Sequence, residues 1–236
     1  MSLVFYISPS VIPSRSANSI HVVNMCEGIV QSNHRVFLFA AINGKPLINY
    51  EETLSSYYGV SNKNIKVFSY QSILNRGIEF GVALKAVSKY LTFSIKYHKP
   101  IVIISRNLYA AVFFGLLLRK EIVYETHAPE KGYRKRLQKL VINSSRIRTV
   151  VISKALEAII CKEHALSEGK LHVFHDAARS SGSQLNNKQR DEYRRLLLAG
   201  TIDLEKFNKF IGYFGHLYVG RGIEVIQGIA LKNSDH

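Results

Sequence analysis

Cysteine is scarce in this sequence, with only Cys26 and Cys161 among 236 residues. Both lie in apolar patterns of helical spacing, which predicts buried, reduced thiols. A disulfide framework needs several cysteines at paired spacings, and a structural metal site needs clustered cysteine or histidine ligands. Neither pattern is present, so we expect no disulfide and no bound metal ion.

Long apolar runs are also missing. The N-terminal segment MSLVFYISPS is apolar over only five residues and has no basic region before them, which predicts a first strand and not a secretory signal. The longest helical run of this kind, Leu108–Leu118, has eleven residues, well short of the roughly 20 needed to span a bilayer. The sequence therefore predicts a cytoplasmic protein.

Acidic residues are few, with 17 Asp and Glu against 32 Lys and Arg, for a net charge of +15. This imbalance indicates an anionic partner, which can be a nucleotide phosphate, an acidic membrane surface or nucleic acid. The sequence contains no RNP pattern, zinc finger or convincing helix-turn-helix. Nucleic acid is therefore the least favoured of the three partners.

Two common catalytic motifs of α/β proteins are absent. The segment after the first strand reads SPSVIPSRS and not G-x-G-x-x-G, which disfavours a dinucleotide-dependent dehydrogenase. No G-x-S-x-G is present, which disfavours a serine hydrolase of the α/β type. The sequence has no internal repeat of the kind that forms a solenoid.

What the sequence does contain is a regular alternation of apolar strands and helical patterns from residue 3 to about residue 176. This alternation predicts a Rossmann-like, doubly wound parallel sheet with helices on both faces. The predicted strands are Leu3–Ile7, Val36–Ala41, Ile65–Phe68, Ile101–Ser105, Ile122–Glu125, Thr149–Ile152 and Leu171–Phe174. The predicted helices include Glu51–Tyr58, Ile78–Tyr97, Leu108–Leu118, Tyr133–Ile142 and Lys154–Glu163, with a further helix capped by Ser16 or Asn18.

The C-terminal part of the sequence predicts a change of domain. We expect a first domain over residues 1–180, a charged connection over 181–208, and the beginning of a second Rossmann-like domain over 209–236. The segment FIGYFGHLYVGRGIE, which starts at Phe210, reads as a strand, a glycine turn and a helix start. Such a turn presents free N–H groups to phosphate, and Arg221 adds a cation beside them.

Three polar groups follow predicted strands, where ligands of doubly wound sheets bind. His127 follows Glu125 at the end of one strand, and can bind a substrate or act as an acid or base, or can simply be a loop histidine. Arg106 can clamp an anion, orient Glu125 or lie on the surface. Asp176 can contact a ligand or serve the turn.

A basic cluster occupies the predicted helix Tyr133–Ile142. Several of its cations share one helix face, which suits either an anionic membrane surface or a solvated face. The candidate membrane-facing residues are Arg134, Lys135, Arg136 and Lys139.

Six motifs in order resemble glycosyltransferase family 4, the retaining, nucleotide-sugar-dependent transferases of the GT-B fold. They are ISPSVIPSRSANSIHVVNMCEGIVQSNHRVFLF, IVIISRN, IVYETHAP, VVISKAL, HVFHDA and GYFGHLYVGRGIEVI. The resemblance implies two Rossmann-like domains that face each other across a cleft, with the acceptor bound mainly by the first and the nucleotide sugar by the second. It also implies transfer without a metal ion, to a lipid-linked or polysaccharide acceptor in cell-envelope or exopolysaccharide biosynthesis.

The resemblance assigns roles to particular residues. His127 matches the histidine that lines the reaction centre, and the loop Pro13–Ser19 matches the loop that approaches donor phosphate and acceptor. In that loop Ser14, Arg15, Ser16 and Ala17 stand where many relatives have paired glycines. The residues that match the donor-diphosphate site are Gly215, His216, Arg221 and Gly222.

Relatives continue beyond the GRG turn with most of a second domain, including its paired glutamates. The sequence therefore predicts an acceptor domain with the start of a donor domain, inactive alone unless a second chain supplies the rest. The alternative is a non-catalytic remnant that binds a membrane, a glycan or a partner transferase. In either case we expect a cytoplasmic protein, with peripheral attachment to the inner face of the membrane as an option.

Overall fold

A parallel sheet organises the first part of the chain. The computed structural model describes residues 1–42, 49–61, 63–71, 77–97, 100–167, 169–175, 186–198 and 222–232. The chain divides into two compact units, residues 1–179 and 180–236. The sheet lies in the first unit and contains β1 (Leu3–Val11), β2 (Arg35–Ala41), β3 (Ile65–Tyr70), β4 (Ile101–Ser105), β5 (Ile122–Thr126), β6 (Ile147–Val151) and β7 (Leu171–Val173).

Helices follow most of the strands, as the alternating pattern predicts. The helices of the first unit are α1 (Ala17–Gln31), α2 (Tyr50–Tyr58), α3 (Ile78–Tyr97), α4 (Leu108–Ala111), α5 (Gly132–Asn143) and α6 (Lys154–His164). The second unit contributes α7 (Asn187–Leu198) and α8 (Ile223–Lys232).

The strand order is β3-β2-β1-β4-β5-β6-β7, and every neighbouring pair is parallel. The predicted Rossmann-like α/β fold is therefore confirmed. The order reverses between β1 and β4, because the chain builds outward on one side as far as β3 and then returns to the other side of β1. Ligands in open sheets of this kind bind at such a switch point, beyond the carboxyl ends of the strands.

Alternate residues of the strands face two different cores. Phe5 and Phe37 pack with α3, α4 and α5 on one face, whereas Val4 and Leu38 pack with α1 and α2 on the other. Both faces of the central strands are covered, which explains why they read as continuous apolar runs and not as alternating ones. The carboxyl ends of these strands hold polar side chains.

Several helix ends lie where their capping residues predict. Ser16 caps α1 by accepting a hydrogen bond from the N–H of Ser19, and Ser153 caps α6 by accepting from the N–H of Leu156. Gly59 ends α2 with a φ of 64°, a left-handed conformation that glycine adopts without a steric penalty.

Two sequence predictions differ from the structure. The predicted helix Leu108–Leu118 is α-helical only over α4, and Val112–Leu117 forms a π-helical segment. β1 continues past its predicted end at Ile7 to Val11, so part of the expected loop is a strand. The sequence also predicts a turn at Asn43–Pro46, which lies outside the described residues.

The buried face of α3 contains small residues. Of its apolar residues near helical spacing, Val82 is buried, whereas Leu84, Leu91 and Ile95 are 47%, 49% and 77% exposed. The small residues Ala83 and Ala86 lie on the sheet instead, because their short side chains let the helix axis approach the strands closely. Hydropathy alone favours the larger residues and misses this geometry.

None of the helices in the described part of the chain has both the length and the hydropathy to cross a membrane.

The close approach of α3 to the sheet can be tested at Gly81. A methyl group there would overlap the ring of Tyr70, whereas a methyl group at Gly28 in α1 would meet no atom within 4 Å. We expect Gly81→Ala to lower the free energy of unfolding by about 1–3 kcal/mol. Gly28→Ala, the matched control, should raise it by up to about 1 kcal/mol through helix propensity. Urea denaturation measures both, and a Gly81→Ala variant as stable as the wild type would contradict the packing.

Candidate functional site

A polar cluster lies around the carboxylate of Glu125, at the end of β5. Tyr6 donates a hydrogen bond from its hydroxyl to Oε2 over 3.2 Å. The other oxygen, Oε1, lies 2.6 Å from Nε2 of His127 and 3.4 Å from Nε of Arg106. Nε2 of His21 is also 3.4 Å from Oε1. One buried carboxylate thus contacts four polar side chains.

The fold brings these residues together from separate segments. Tyr6 belongs to β1 and Glu125 to β5, and the two strands flank β4 in the sheet. Arg106 follows β4 directly, and its N–H donates to the carbonyl of Ile7 over 2.8 Å, which fixes the start of that loop. His21 comes from α1, which covers the same face of the sheet. The cluster therefore lies at the switch point of the strand order.

Glu125 is held in its ionised form. Burial by itself would raise the pKa of its carboxyl, but the hydrogen bond from His127, the contact with His21 and the charge of Arg106 outweigh it and lower the pKa well below its usual range. The Tyr6 phenol has the opposite shift, because burial and the neighbouring Glu125 charge raise its pKa. Tyr6 is thus a permanent donor, and Glu125 a permanent acceptor.

These charges locate the proton of His127. An ionised carboxylate only accepts, so Nε2 carries a proton and donates it to Glu125. Nη2 of Arg106 also lies 2.6 Å from this Nε2, but a protonated nitrogen cannot accept a second hydrogen bond from the guanidinium. We assign the hydrogen bond to Glu125 because the ionised acceptor is the stronger partner.

The remaining ring nitrogen of His127 is then available to a ligand. Nδ1 makes no hydrogen bond to any residue in the described ranges, and the side chain is 28% exposed. With Nε2 protonated, Nδ1 has a lone pair that can accept a proton or a hydrogen bond. Its geometry suits a contact with a hydroxyl group, as in a general base or a substrate-orienting histidine.

Three side chains of this cluster are also possible metal ligands. Ligand atoms of His21, Glu125 and His127 all lie within 4.8 Å of one another. However, the Arg106 guanidinium contacts two of these residues, so a bound dication would lie beside a fixed positive charge. Arg106 itself balances the Glu125 charge, and the cluster fits an arginine-compensated carboxylate better than a metal centre.

The other predicted residues of the acceptor side lie around the start of α1. The Ser14 backbone is held at both its N–H and its carbonyl by the hydroxyl of Tyr58 in α2. Ser16 caps α1, and Arg15 is exposed. Their hydrogen bonds fix the loop and α1, which carries His21, so their link to Glu125 is indirect.

Most of the predicted donor-side residues lie outside the described ranges. Asp176 and the strand expected before the glycine turn lie outside them as well. The donor-side residues outside these ranges are Gly215, His216 and Arg221. Gly222 is described: it has a φ of 78° and directly precedes α8, and its carbonyl accepts a hydrogen bond from the N–H of Ile226. Its role in binding phosphate stays a prediction.

Two of the four predicted membrane-facing cations are engaged within the protein. Arg134 binds Glu130 through Nε and Nη2 and Glu79 through Nη1, which raises its pKa. Lys135 pairs with Glu163 at 3.0 Å. The other two, Arg136 and Lys139, are exposed.

Sequence reasoning missed Tyr6 and His21. Tyr6 lies within an apolar strand. Its hydroxyl reaches Glu125 because β5 lies two strands away from β1 in the sheet, which the sequence does not reveal. His21 lies within α1, and only its placement on the Glu125 side of the sheet distinguishes it from a core histidine. A polar atom in an otherwise apolar run was the available signal in both cases.

Comparison with known proteins identifies structures of similar fold. No family model and no curated protein matches the sequence. Among solved structures, a UDP-glucosyltransferase from Polygonum tinctorium matches with a TM-score of 0.51 and 9% identity, over 80% of this chain and 56% of that chain. That enzyme is described as capable of glucosylating indoxyl and was solved with 3,4-dichloroaniline.

A second structure, TcCGT1 in complex with UDP, matches with a TM-score of 0.47 and 10% identity, over 81% of this chain and 54% of that one. This chain thus spans little more than half the length of either structure. The first match shows that its Rossmann-like sheet is similar to a domain of a GT-B glycosyltransferase.

The buried charge of Glu125 predicts a pH-dependent stability. Glu125→Gln leaves Arg106 buried without its counter-charge, which costs roughly 3–5 kcal/mol at pH 7. Because the folded-state pKa of Glu125 is lowered, its contribution is present above the ordinary Glu pKa of about 4.3 and is lost as the pH falls further. The stability difference between variant and wild type should therefore shrink below pH 4.

Chemical denaturation at pH 7, 5 and 3.5 measures this difference. Glu121→Gln is the matched control, because Glu121 is exposed just before β5 and should change stability little at any pH. A difference between Glu125→Gln and wild type that stays constant over this pH range would contradict the assignment.

Proposed function

We propose that this chain acts in glycosyl transfer and moves a sugar from a nucleotide-sugar donor to a hydroxyl of an acceptor. The observation that carries the proposal is the Glu125–His127 pair at the switch point of a glycosyltransferase-like sheet. It supplies an imidazole with one nitrogen fixed by an ionised carboxylate and the other open to a ligand. Such a pair can orient or deprotonate a sugar hydroxyl.

Arg106 supports this chemistry by its charge. It balances Glu125, and its side chain is only 7% exposed, so the carboxylate stays ionised without a bound cation. If His127 takes a proton at Nδ1, Glu125 stabilises the resulting imidazolium, which favours that step. Tyr6 and His21 hold the carboxylate from its other sides and limit its movement.

The donor is a nucleotide diphosphate sugar in this proposal. The glycine turn that includes Gly215 and Gly222 would offer N–H groups to the diphosphate, and Arg221 and His216 would add charge-assisted contacts. The structural neighbour from Polygonum tinctorium is named as a UDP-glucosyltransferase, which is consistent in kind with such a donor. Part of the donor site belongs to a second chain or domain in this view.

The acceptor is a lipid-linked sugar or polysaccharide, in cell-envelope or exopolysaccharide biosynthesis, and the transfer is of the retaining, family 4 kind. These finer statements rest on the sequence motifs. The corresponding location is cytoplasmic, at the inner face of a membrane, where lipid-linked acceptors are made.

A membrane-binding role, with or without catalysis, is the second candidate. It is favoured by the exposed cations Arg136 and Lys139 together with Leu140, which is 58% exposed on the same helix. Cations beside an exposed apolar side chain suit an anionic lipid surface. In the extreme case the chain is a non-catalytic binding module.

The catalytic proposal predicts the effect of His127→Ala. Loss of the imidazole should reduce sugar transfer by about a hundredfold or more, since general acid–base groups contribute ~10²–10⁴. The assay includes the second chain or domain that completes the donor site, requires measurable transfer by the wild type, and follows release of nucleoside diphosphate from a panel of UDP, GDP and ADP sugars with lipid-linked acceptors. His172→Ala is the control, because His172 is exposed on β7. Equal transfer by both variants would contradict the role of His127.

The membrane proposal predicts the effect of replacing Arg136 and Lys139 by Gln. At about 1 kcal/mol per cation near an anionic surface, binding to vesicles containing anionic phospholipid should fall by on the order of tenfold or more at low salt. The matched control replaces Arg146 and Arg148, which are exposed at the amino-terminal edge of the sheet. If both double variants sediment with vesicles as the wild type does, the membrane role of α5 is wrong.

A further inference from the structure

The loop that carries His127 is held by one buried side chain from the helix that follows it. Gln138 lies in α5 and is 0% exposed. Its Nε2 donates to Thr126 Oγ1 over 3.0 Å and to the carbonyl of Ala128 over 3.1 Å. Its Oε1 accepts from the N–H of Glu130 over 3.0 Å. These bonds fix the loop on both sides of His127.

The orientation of the Gln138 amide is set by His164 in α6. Since the Glu130 N–H can only donate, the atom that faces it is the amide oxygen. His164 lies 2.9 Å from the same oxygen and must therefore donate from Nε2. Burial, with the nearby Lys135 charge, lowers the pKa of His164, which favours the neutral ring. The amide is thus locked with its NH₂ group towards the loop.

Packing alone does not require a glutamine here. Gln138 lies on the same side of α5 as Val141 and Ile142, which are buried in the core, and an apolar side chain would fit that face of the helix. A buried amide is costly unless its polar atoms are satisfied, and here both Nε2 hydrogens and the oxygen have partners. Those partners are backbone and side-chain groups of the His127 loop, apart from His164.

We infer that Gln138 is a positioning residue for His127: it holds loop residues 126–130 so that the imidazole stays bonded to Glu125, and His164 sets the direction of its amide. The loop is short, and Thr126 adds an internal hydrogen bond to the carbonyl of Ala128 over 3.0 Å. Without Gln138, the Ala128 carbonyl keeps only that bond and the Glu130 N–H loses its acceptor. The consequence for sugar transfer rests on the proposed function, but the positioning itself does not.

The test uses Gln138→Met in the isotope-labelled full chain, since methionine has a similar length and makes no such hydrogen bonds. Exchange of the Glu130 amide should accelerate by on the order of tenfold, the effect of losing one hydrogen bond. The ¹⁵N spectrum of the His127 ring should change from one tautomer protonated at Nε2 to a mixture. A purely structural loss of stability would not change this tautomer.

Thr149→Val is the burial-matched control. Thr149 is 1% exposed, and its hydroxyl makes no hydrogen bond within the described part of the chain, so the variant removes a buried polar atom away from the loop. It should leave the His127 spectrum and the Glu130 exchange rate as in the wild type. His164→Leu is a second variant in case Gln138→Met does not fold, and it should also accelerate Glu130 exchange.

A folded Gln138→Met or His164→Leu protein with wild-type His127 tautomer and Glu130 exchange would overturn the inference. Neither measurement uses a sugar donor, so both are readable if the proposed function fails. Conversely, a positive result here with unimpaired transfer by His127→Ala would reject the function and keep the positioning role.

Discussion

The ionised carboxylate of Glu125, buried at the end of β5, constrains the rest of the site. A buried charge without compensation costs several kcal/mol, so the fold must bring donors and a cation to it. Those partners come from different elements: Tyr6 from β1, Arg106 from the loop after β4, and His21 from α1. The sheet register, the strand order and the position of α1 must all be correct before the charge is satisfied.

This constraint gives the site its rigidity. Donors that already point at a charge need little reorganisation when a ligand binds or a proton moves. Glu125 is such a fixed charge for His127, and the loop that presents the imidazole is itself tied to α5 and α6 through Gln138. The two supports act at different places: Glu125 binds the His127 ring, whereas Gln138 binds the residues on either side of His127. With both supports in place, Nδ1 of His127 is the atom whose protonation and contacts can change when a ligand binds.

Sequence pattern was sufficient for the fold and for the location of three polar residues at the carboxyl ends of the strands, for physical reasons that can be named. Strands covered on both faces appear as apolar runs, and a polar residue directly after such a run must lie at the sheet edge, which identified Arg106, Glu125 and His127. Tyr6 and His21 were beyond reach because their contacts depend on which strands are neighbours. The buried face of α3 could not be read from hydropathy, because alanine packing depends on helix–sheet distance, which hydropathy does not encode.

The excess of positive charge has a different origin from the chemistry of the site. Within the cluster, the Arg106 cation is matched by the Glu125 anion, so the site adds little to the net charge of +15. Part of the excess lies instead on exposed cations such as Arg136, Lys139 and Arg148. Exposed charge acts over about one Debye length, roughly 8–10 Å at physiological salt, and therefore attracts anionic partners to the surface without selecting among them. The fixed groups at the switch point are different in kind, because the Nδ1 atom of His127 can contact a hydroxyl group according to its position and not its charge.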